Sequence, residues 1–353
     1  MRRFHELRSL GLPVALLVAT TLGATARQER PTGQGFSFKT GVDLVNVTAT
    51  VTDASGRFVP GLRREDFIVY EDGKPQDVSQ FDAERVPVSL GLALDTSGSM
   101  LGEKIAAAQA ALNRFLVDLL GPQDEVFLYR FDSRPDLVQS WTVDRQAVIR
   151  ALGLVQPRGG TAIYDTVAEA VPLAQAGTRK KKALLVISDG NDTSSKMRLP
   201  ELRQLIRETE VLVYAIAIDA SEGLSHARQT APPPTSVSTG KPVPSPFPGK
   251  QSTAPPPPPP PPSRHAPSGG STDRVNVEAL REITDDTGGR TETIVSHRDL
   301  DPATAGIADE LSKQYYLGYV SSLPKDGRWH TIDVQVRKGH FTVRARKGYV
   351  SGG

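Results

Sequence analysis

The chain has 353 residues, with 42 basic against 40 acidic side chains, a formal charge of +2 and no cysteine. A composition of 38% hydrophobic and 23% charged residues is that of a globular protein. The balanced charge offers no field for nucleic acid or a charged membrane surface, and the missing cysteine excludes disulfides and thiolate metal sites.

Arg2, Arg3 and Arg8 precede an apolar stretch from Leu10 to Leu22 that ends at Ala24-Thr25-Ala26. A basic start, a short apolar core and an A-x-A end predict a secretory signal peptide over 1–26. The competing reading is a membrane anchor, but the run is shorter than the roughly 20 residues a spanning helix needs. No later segment is apolar enough to span, so the expected location is exported, periplasmic or extracellular. Residues 27–40 are polar and Gly-rich and read as a linker.

The period then changes. Val45, Val47, Ala49 and Val51 alternate with Asn46, Thr48, Thr50 and Thr52, the pattern of a half-buried strand. FIVYEDGKPQ reads as a strand entering a tight turn at Asp72-Gly73. Residues 41–85 are therefore expected to be an all-β unit.

From Val86 the pattern alternates. VSLGLAL, EVFLYRF, ALLVIS and VLVYAIAI are apolar strands of the kind buried on both faces. Helical stretches lie between them: one with Ile105, Ala108, Leu112, Phe115, Leu116 and Leu119 on one face, then Thr161 to Ala174 and Arg198 to Glu208. This predicts an α/β fold, a doubly wound and mostly parallel sheet covered by helices. Residues 220–272 interrupt it with 16 of the 28 prolines, eight of them consecutive at 255–262. Such a segment cannot bury enough apolar surface to fold and reads as an insertion, with the proline run a stiff spacer of about 25 Å. A helix and strand after it, and a last helix over about 299–314, complete the domain of 86–314. In 315–350, Ile332, Val334 and Val336, then Phe341, Val343 and Ala345, alternate with polar residues and predict a hairpin. A lone hairpin is marginal, so it is expected to pack with the N-terminal strands in a β-sandwich-like module.

Ligands of open α/β sheets bind outside the carboxyl ends of the strands. Three small polar loops fall there: Asp95-Thr96-Ser97-Gly98-Ser99, Arg158-Gly159-Gly160-Thr161-Ala162-Ile163-Tyr164-Asp165, and Ser188-Asp189-Gly190-Asn191-Asp192. The set suits a hard cation with oxygen ligands. Hydroxyls two residues apart can point to one side of an extended loop, and few charged ligands leave the ion electrophilic. Asp165 reads either as a group orienting Thr161 or as a carboxylate favoured at a helix N-terminus. Asp192 reads as an exposed turn residue, with contact to a site water as the alternative.

The trio D-T-S-G-S, G-G-T-A-I-Y-D and S-D-G resembles the von Willebrand factor A domain and its metal-ion-dependent adhesion site. VDLVNVTATVTD, GLRREDFIVYEDGKPQ and VRARKGYV resemble the flanks of a bacterial exported group, the VWFA-related acidobacterial-type proteins. Matched motif by motif, the resemblance implies Asp95, Ser97, Ser99, Thr161 and Asp189 as ligands of Mg²⁺, with Mn²⁺ or Ca²⁺ as alternatives. It further implies a protein partner that supplies a Glu or Asp carboxylate, hence an exported binding or adhesion module.

Two other classes compete. A structural or assembly subunit of an envelope complex would keep the site but bind constitutively. A hydrolase would need a nucleophile with an oriented base. His297, His330 and His340 fall outside the three polar loops, and neither a zinc-protease motif nor a phosphate loop is present. The expectation is a protein that is not an enzyme.

Overall fold

The computed structural model describes residues 43–219 and 276–352. The segment read as a signal peptide, the linker and the Pro-rich insertion lie outside the described residues. In chain order the first strands are β1 (Asp43–Thr52), β2 (Phe67–Glu71), β3 (Lys74–Gln76) and β4 (Val78–Asp82). The α/β part follows with β5 (Val88–Asp95), α1 (Glu103–Arg114), β6 (Glu125–Phe131), β7 (Pro135–Thr142), α2 (Arg145–Gly153), α3 (Ile163–Gln175), β8 (Lys181–Ser188), α4 (Leu199–Arg207), β9 (Leu212–Ile218), α5 (Val277–Asp285), β10 (Thr291–Ile294) and α6 (Leu300–Lys313). The chain closes with β11 (Tyr315–Ser321), β12 (Trp329–Val336), β13 (Thr342–Ala345) and β14 (Gly348–Val350). No helix among the described residues is long and apolar enough to cross a membrane.

The central sheet has the order β10-β9-β8-β5-β6-β7, parallel throughout except for the edge strand β7. Each inner strand is apolar on both faces because helices cover both. Leu90, Leu92, Leu94, Val126 and Leu128 pack with Leu112 of α1, Phe115 just after it, Val148 of α2 and Ile307 of α6. Ala93, Phe127, Leu184, Val186 and Val213 pack with Val167 and Val171 of α3, Leu202 of α4 and Ile283 of α5. The expected doubly wound α/β fold is the fold observed. From β5 the chain runs to β6 on one side and later returns to β8 on the other, so the strand order reverses between β5 and β8. At such a reversal the loops leave in opposite directions and open a crevice at the carboxyl ends.

Strands from both ends of the chain build two further antiparallel sheets, β13-β1-β11-β4 and β14-β12-β2-β3. They share one core of Val45, Val47, Ala49, Val51, Phe67, Val69, Tyr315, Leu317, Tyr319, Ile332 and Val334. The turn at Asp72-Gly73 has φ of 48° and 75°, a left-handed pair that favours a two-residue hairpin.

Three features depart from the sequence reading. The expected hairpin over 332–345 does not form: β12 pairs with β2 and β14, whereas β13 pairs with β1. Both strands turn their apolar residues to the same core, but from opposite sheets, and each finds a free edge there. The strand β11, to which the reading assigned nothing, fills the centre of its sheet between β1 and β4. Likewise β7 and α2 occupy 135–153, where the sequence reading placed no element.

The two parts of the molecule are joined at the amino ends of the parallel strands. Glu310 of α6 is mostly buried, its side chain 10% exposed, and accepts hydrogen bonds from Tyr214 Oη (2.8 Å), Thr50 Oγ1 (3.1 Å) and Arg290 Nε (3.0 Å), and it ion-pairs with Arg344 of β13. Burial pushes its carboxyl up, but Arg344 and Arg290 outweigh that and hold it below the usual range. Gln314 donates to Thr50 Oγ1 and Tyr214 Oη. Close by, Gly289 presses on β9 so tightly that a Cβ would stand 1.8 Å from the Val213 carbonyl oxygen.

Candidate metal centre

Asp95 is the last residue of β5, and its side chain is buried because the strand remains covered to its end. Its Oδ1 accepts the Ser97 backbone N–H at 2.7 Å and its Oδ2 accepts the Ser188 hydroxyl at 2.5 Å. Burial pushes the carboxyl up to about 6, while the bonds from Ser188 and Ser97 pull it down and neighbouring Asp189 adds to the rise.

Beyond Asp95 the chain stays extended at Ser97 and then makes a single 3₁₀ turn over Gly98–Met100. The Ser97 and Ser99 hydroxyls lie 3.0 Å apart, and Ser99 Oγ donates to Asp189 Oδ1 at 2.7 Å. Asp189 follows β8 across the crevice between β5 and β8 and is 5% exposed. Its second oxygen, Oδ2, receives the Lys104 ammonium from the first turn of α1; Lys104 also donates to the Ser99 carbonyl at 3.1 Å.

Thr161 lies two residues before α3, in the loop rather than in the helix where the sequence reading began it. Backbone bonds hold that stretch: Gly98 N–H donates to the Gly159 carbonyl (3.0 Å), Arg158 N–H to the Thr96 carbonyl (2.7 Å), and Thr193 N–H to the Thr161 carbonyl (2.9 Å). A Cβ on Gly190 would come within 3.1 Å of Thr161 Oγ1, so the glycine lets the second and third loops meet. Thus Asp95, Ser97, Ser99 and Asp189 form one hydrogen-bonded group, with Thr161 against its edge.

The outer pair behaves differently. Asp165 accepts the backbone N–H groups of Lys196 and Met197 at 2.9–3.1 Å, which pins the loop after β8 and does not engage Thr161. Asp192 is half-buried and accepts the Tyr164 N–H at 2.9 Å and the Ser195 hydroxyl at 2.6 Å, fastening its loop to the start of α3. It is therefore not the exposed turn residue the sequence reading favoured.

The donor set fits a hard cation. Among the described residues no three His, Cys, Asp or Glu side chains cluster as a metal cage, so the group rests on two carboxylates and three hydroxyls. Neighbouring oxygens around an octahedral Mg²⁺ bonded at about 2.1 Å stand about 3.0 Å apart. The 3.0 Å and 2.7 Å separations along Ser97, Ser99 and Asp189 are close to that spacing. The charge is unbalanced as well. Among the described residues Lys104 pairs with Asp189 and no cation pairs with Asp95, which leaves a buried carboxylate without a counterion.

Two participants lie outside the five sequence candidates. Ser188 orients Asp95, although it was legible only as part of the S-D-G string. Lys104 had a signal in its position: a cation in the first turn of a helix opposes the helix dipole and calls for a carboxylate partner.

Residues 90–191 match the family model of the von Willebrand factor type A domain. The inter-alpha-trypsin inhibitor heavy chain H4 of Bos taurus is 29% identical over 136 residues, which cover 35% of this chain and 15% of that protein. Its Sus scrofa counterpart is 26% identical over 133 residues, 35% of this chain and 14% of that protein. The chain thus spans about a seventh of the length of these relatives. Among solved structures, BatB from Bacteroides thetaiotaomicron is 20% identical with a TM-score of 0.43, covering 64% of this chain and 98% of that one. The vWF domain of the type V pili tip protein Mfa5 from Porphyromonas gingivalis is 24% identical with a TM-score of 0.28, covering 31% and 40%. Proximal thread matrix protein 1 from the mussel byssus, with a zinc-occupied MIDAS motif, is 12% identical with a TM-score of 0.45, covering 68% and 49%.

Proposed function

We propose that the chain is an exported protein-binding module in which a divalent cation, held at the crevice between β5 and β8, takes a carboxylate from a partner. Asp95, Ser97, Ser99, Thr161 and Asp189 would hold the ion, and Mg²⁺ suits their oxygen chemistry. The cation would act as a Lewis acid with one position open to an outside Glu or Asp. Ser188 holds Asp95 in orientation, and the backbone ties among the three loops keep the hydroxyls from spreading.

One observation carries this reading. Two buried carboxylates, Asp95 and Asp189, lie at the switch point of the sheet, and among the described residues only Asp189 has an ammonium partner. Such a site is one positive charge short, and a divalent ion supplies it while drawing on the three hydroxyls beside it.

The test is affinity capture from envelope extract with the wild type and with Asp95→Ala, each with Mg²⁺ and with EDTA. Partners retained by the wild type in Mg²⁺ and lost in the other three conditions are the expected result. Capture that ignores both EDTA and the substitution would instead favour a constitutive assembly subunit. Secretion with loss of the first 26 residues tests the export half of the reading separately.

A further inference from the structure

We infer that Lys104 is a built-in counterion that occupies the site's carboxylate while no metal is bound and must be displaced when a divalent ion enters, so that it sets the metal concentration at which the site loads. This inference rests on the metal reading above.

The Lys104 ammonium makes two contacts within the site: it pairs with Asp189 Oδ2 and donates to the Ser99 carbonyl at 3.1 Å. Asp189 and Ser99 are also two of the five candidate ligands. The Asp189 side chain is fully buried, so its charge must be matched by something inside the site. Lys104 matches it at a cost, because a cation in the first turn of α1 faces the positive end of the helix dipole. A divalent ion beside Asp189 removes the attraction that keeps the ammonium there and adds a repulsion in its place.

The ammonium also has a way out. Its side chain is 27% exposed, on a flexible four-carbon stem. Leu101 and Glu103 beside it are 64% and 83% exposed, respectively, so among the described residues that rim is open. A bidentate arginine or a fully enclosed lysine would make a permanent pair. This one is a single ammonium at a partly exposed rim, which a divalent ion can displace.

The experiment has two arms on the full chain. Isothermal titration with Mg²⁺ compares the wild type with Lys104→Met, which keeps the length of the side chain without its charge. Amine acetylation followed by mass spectrometry compares the labelling rate of Lys104 with and without Mg²⁺ in the wild type, with the exposed Lys180 as reference. A Kd lowered about tenfold or more in Lys104→Met, and a Lys104 labelling rate raised several-fold by Mg²⁺ while Lys180 stays constant, support the inference. Wild-type binding with an equal or weaker Kd in Lys104→Met, or labelling of Lys104 that ignores Mg²⁺, overturns it and leaves the metal reading standing. No Mg²⁺ binding by either protein overturns both. The labelling arm needs no variant, so it decides the matter even if Lys104→Met folds poorly.

Discussion

Ser188 donates its hydroxyl hydrogen to Asp95 Oδ2 at 2.5 Å, bonding the last residue of β8 to the last residue of β5. The two strands are already paired in parallel register through Leu94 and Ile187. The extra bond carries the pairing one step into the loops and fixes the carboxylate where the crevice begins.

Asp95 therefore bears two opposed demands. A buried carboxylate without a counterion weakens the fold, yet the same charge is what a cation needs. Asp95→Asn keeps an oxygen for the Ser97 N–H and offers a donor to Ser188. In EDTA its melting temperature is expected to equal or exceed that of the wild type. In Mg²⁺ at a hundredfold above Kd, the wild type should gain about 2.7 kcal/mol, roughly 5–10 °C for a domain of this size, and Asp95→Asn should gain nothing. Differential scanning calorimetry of both proteins in both buffers measures this.

Glu71 is the clearest purely structural carboxylate. It is 1% exposed and accepts the hydroxyls of Tyr319 (3.0 Å), Tyr349 (2.8 Å) and Ser321 (3.0 Å) between the two outer sheets. Glu71→Leu removes the shared acceptor of three buried hydroxyls, of which Tyr349 can still donate to Ser321 at 3.0 Å, and is expected to cost about 3–5 kcal/mol. Chemical denaturation should show that loss, with the Mg²⁺ affinity of the remaining folded protein unchanged.

Lys181, the first residue of β8, donates to the Leu311 carbonyl at 2.7 Å from a buried position. Burial holds its amine down at about 7, with Arg85 adding to the shift. Between that value and the ordinary lysine range near 10.5 the unfolded chain binds the proton and the folded chain does not. Stability should therefore rise with pH across that window, by at most about 1.4 kcal/mol per pH unit from this group. Lys181→Met removes the titration. The stability difference between variant and wild type, from urea melts at pH 6, 7.5 and 9, should favour the variant most at the lowest pH and least at the highest.

Gly289→Ala places a methyl group against the Val213 carbonyl, and neither backbone can yield without breaking β9 from its neighbours. The expected loss is at least about 2 kcal/mol. Gly56→Ala, at a turn open to solvent but with φ of 78°, should cost only the strain of a left-handed residue, about 1 kcal/mol. Paired thermal melts of the two variants test the contrast.

What the sequence made legible follows from how local each signal is. Strands such as VSLGLAL announce themselves because burial on both faces leaves no polar residue in the run. The first and third loops stood out because each breaks such a run with small polar residues, and the second because glycines and a threonine lead into a helix. Lys104 was passed over because its partner Asp189 is 85 residues away and reached only through the strand order. The edge strand β7 escaped because it is half-exposed along its length and shifts register against β6 twice, so no clean alternation survives. The misassigned hairpin shows a related limit. Alternation states which side chains of β12 and β13 are buried, but not whether the two strands share a sheet.

The union of the outer sheets with the amino ends of the parallel strands has a mechanical consequence. The candidate metal centre lies at the opposite ends of those strands, and β5 alone spans about 25 Å for its eight residues. A partner pulling at the loops against an anchor in the outer sheets would load the central strands lengthwise. Strands stressed along their length give way only when many inter-strand hydrogen bonds rupture together, whereas strands pulled sideways unzip bond by bond. The described part of the molecule thus sets its candidate metal centre and its outer sheets at opposite ends of strands that resist tension along their length.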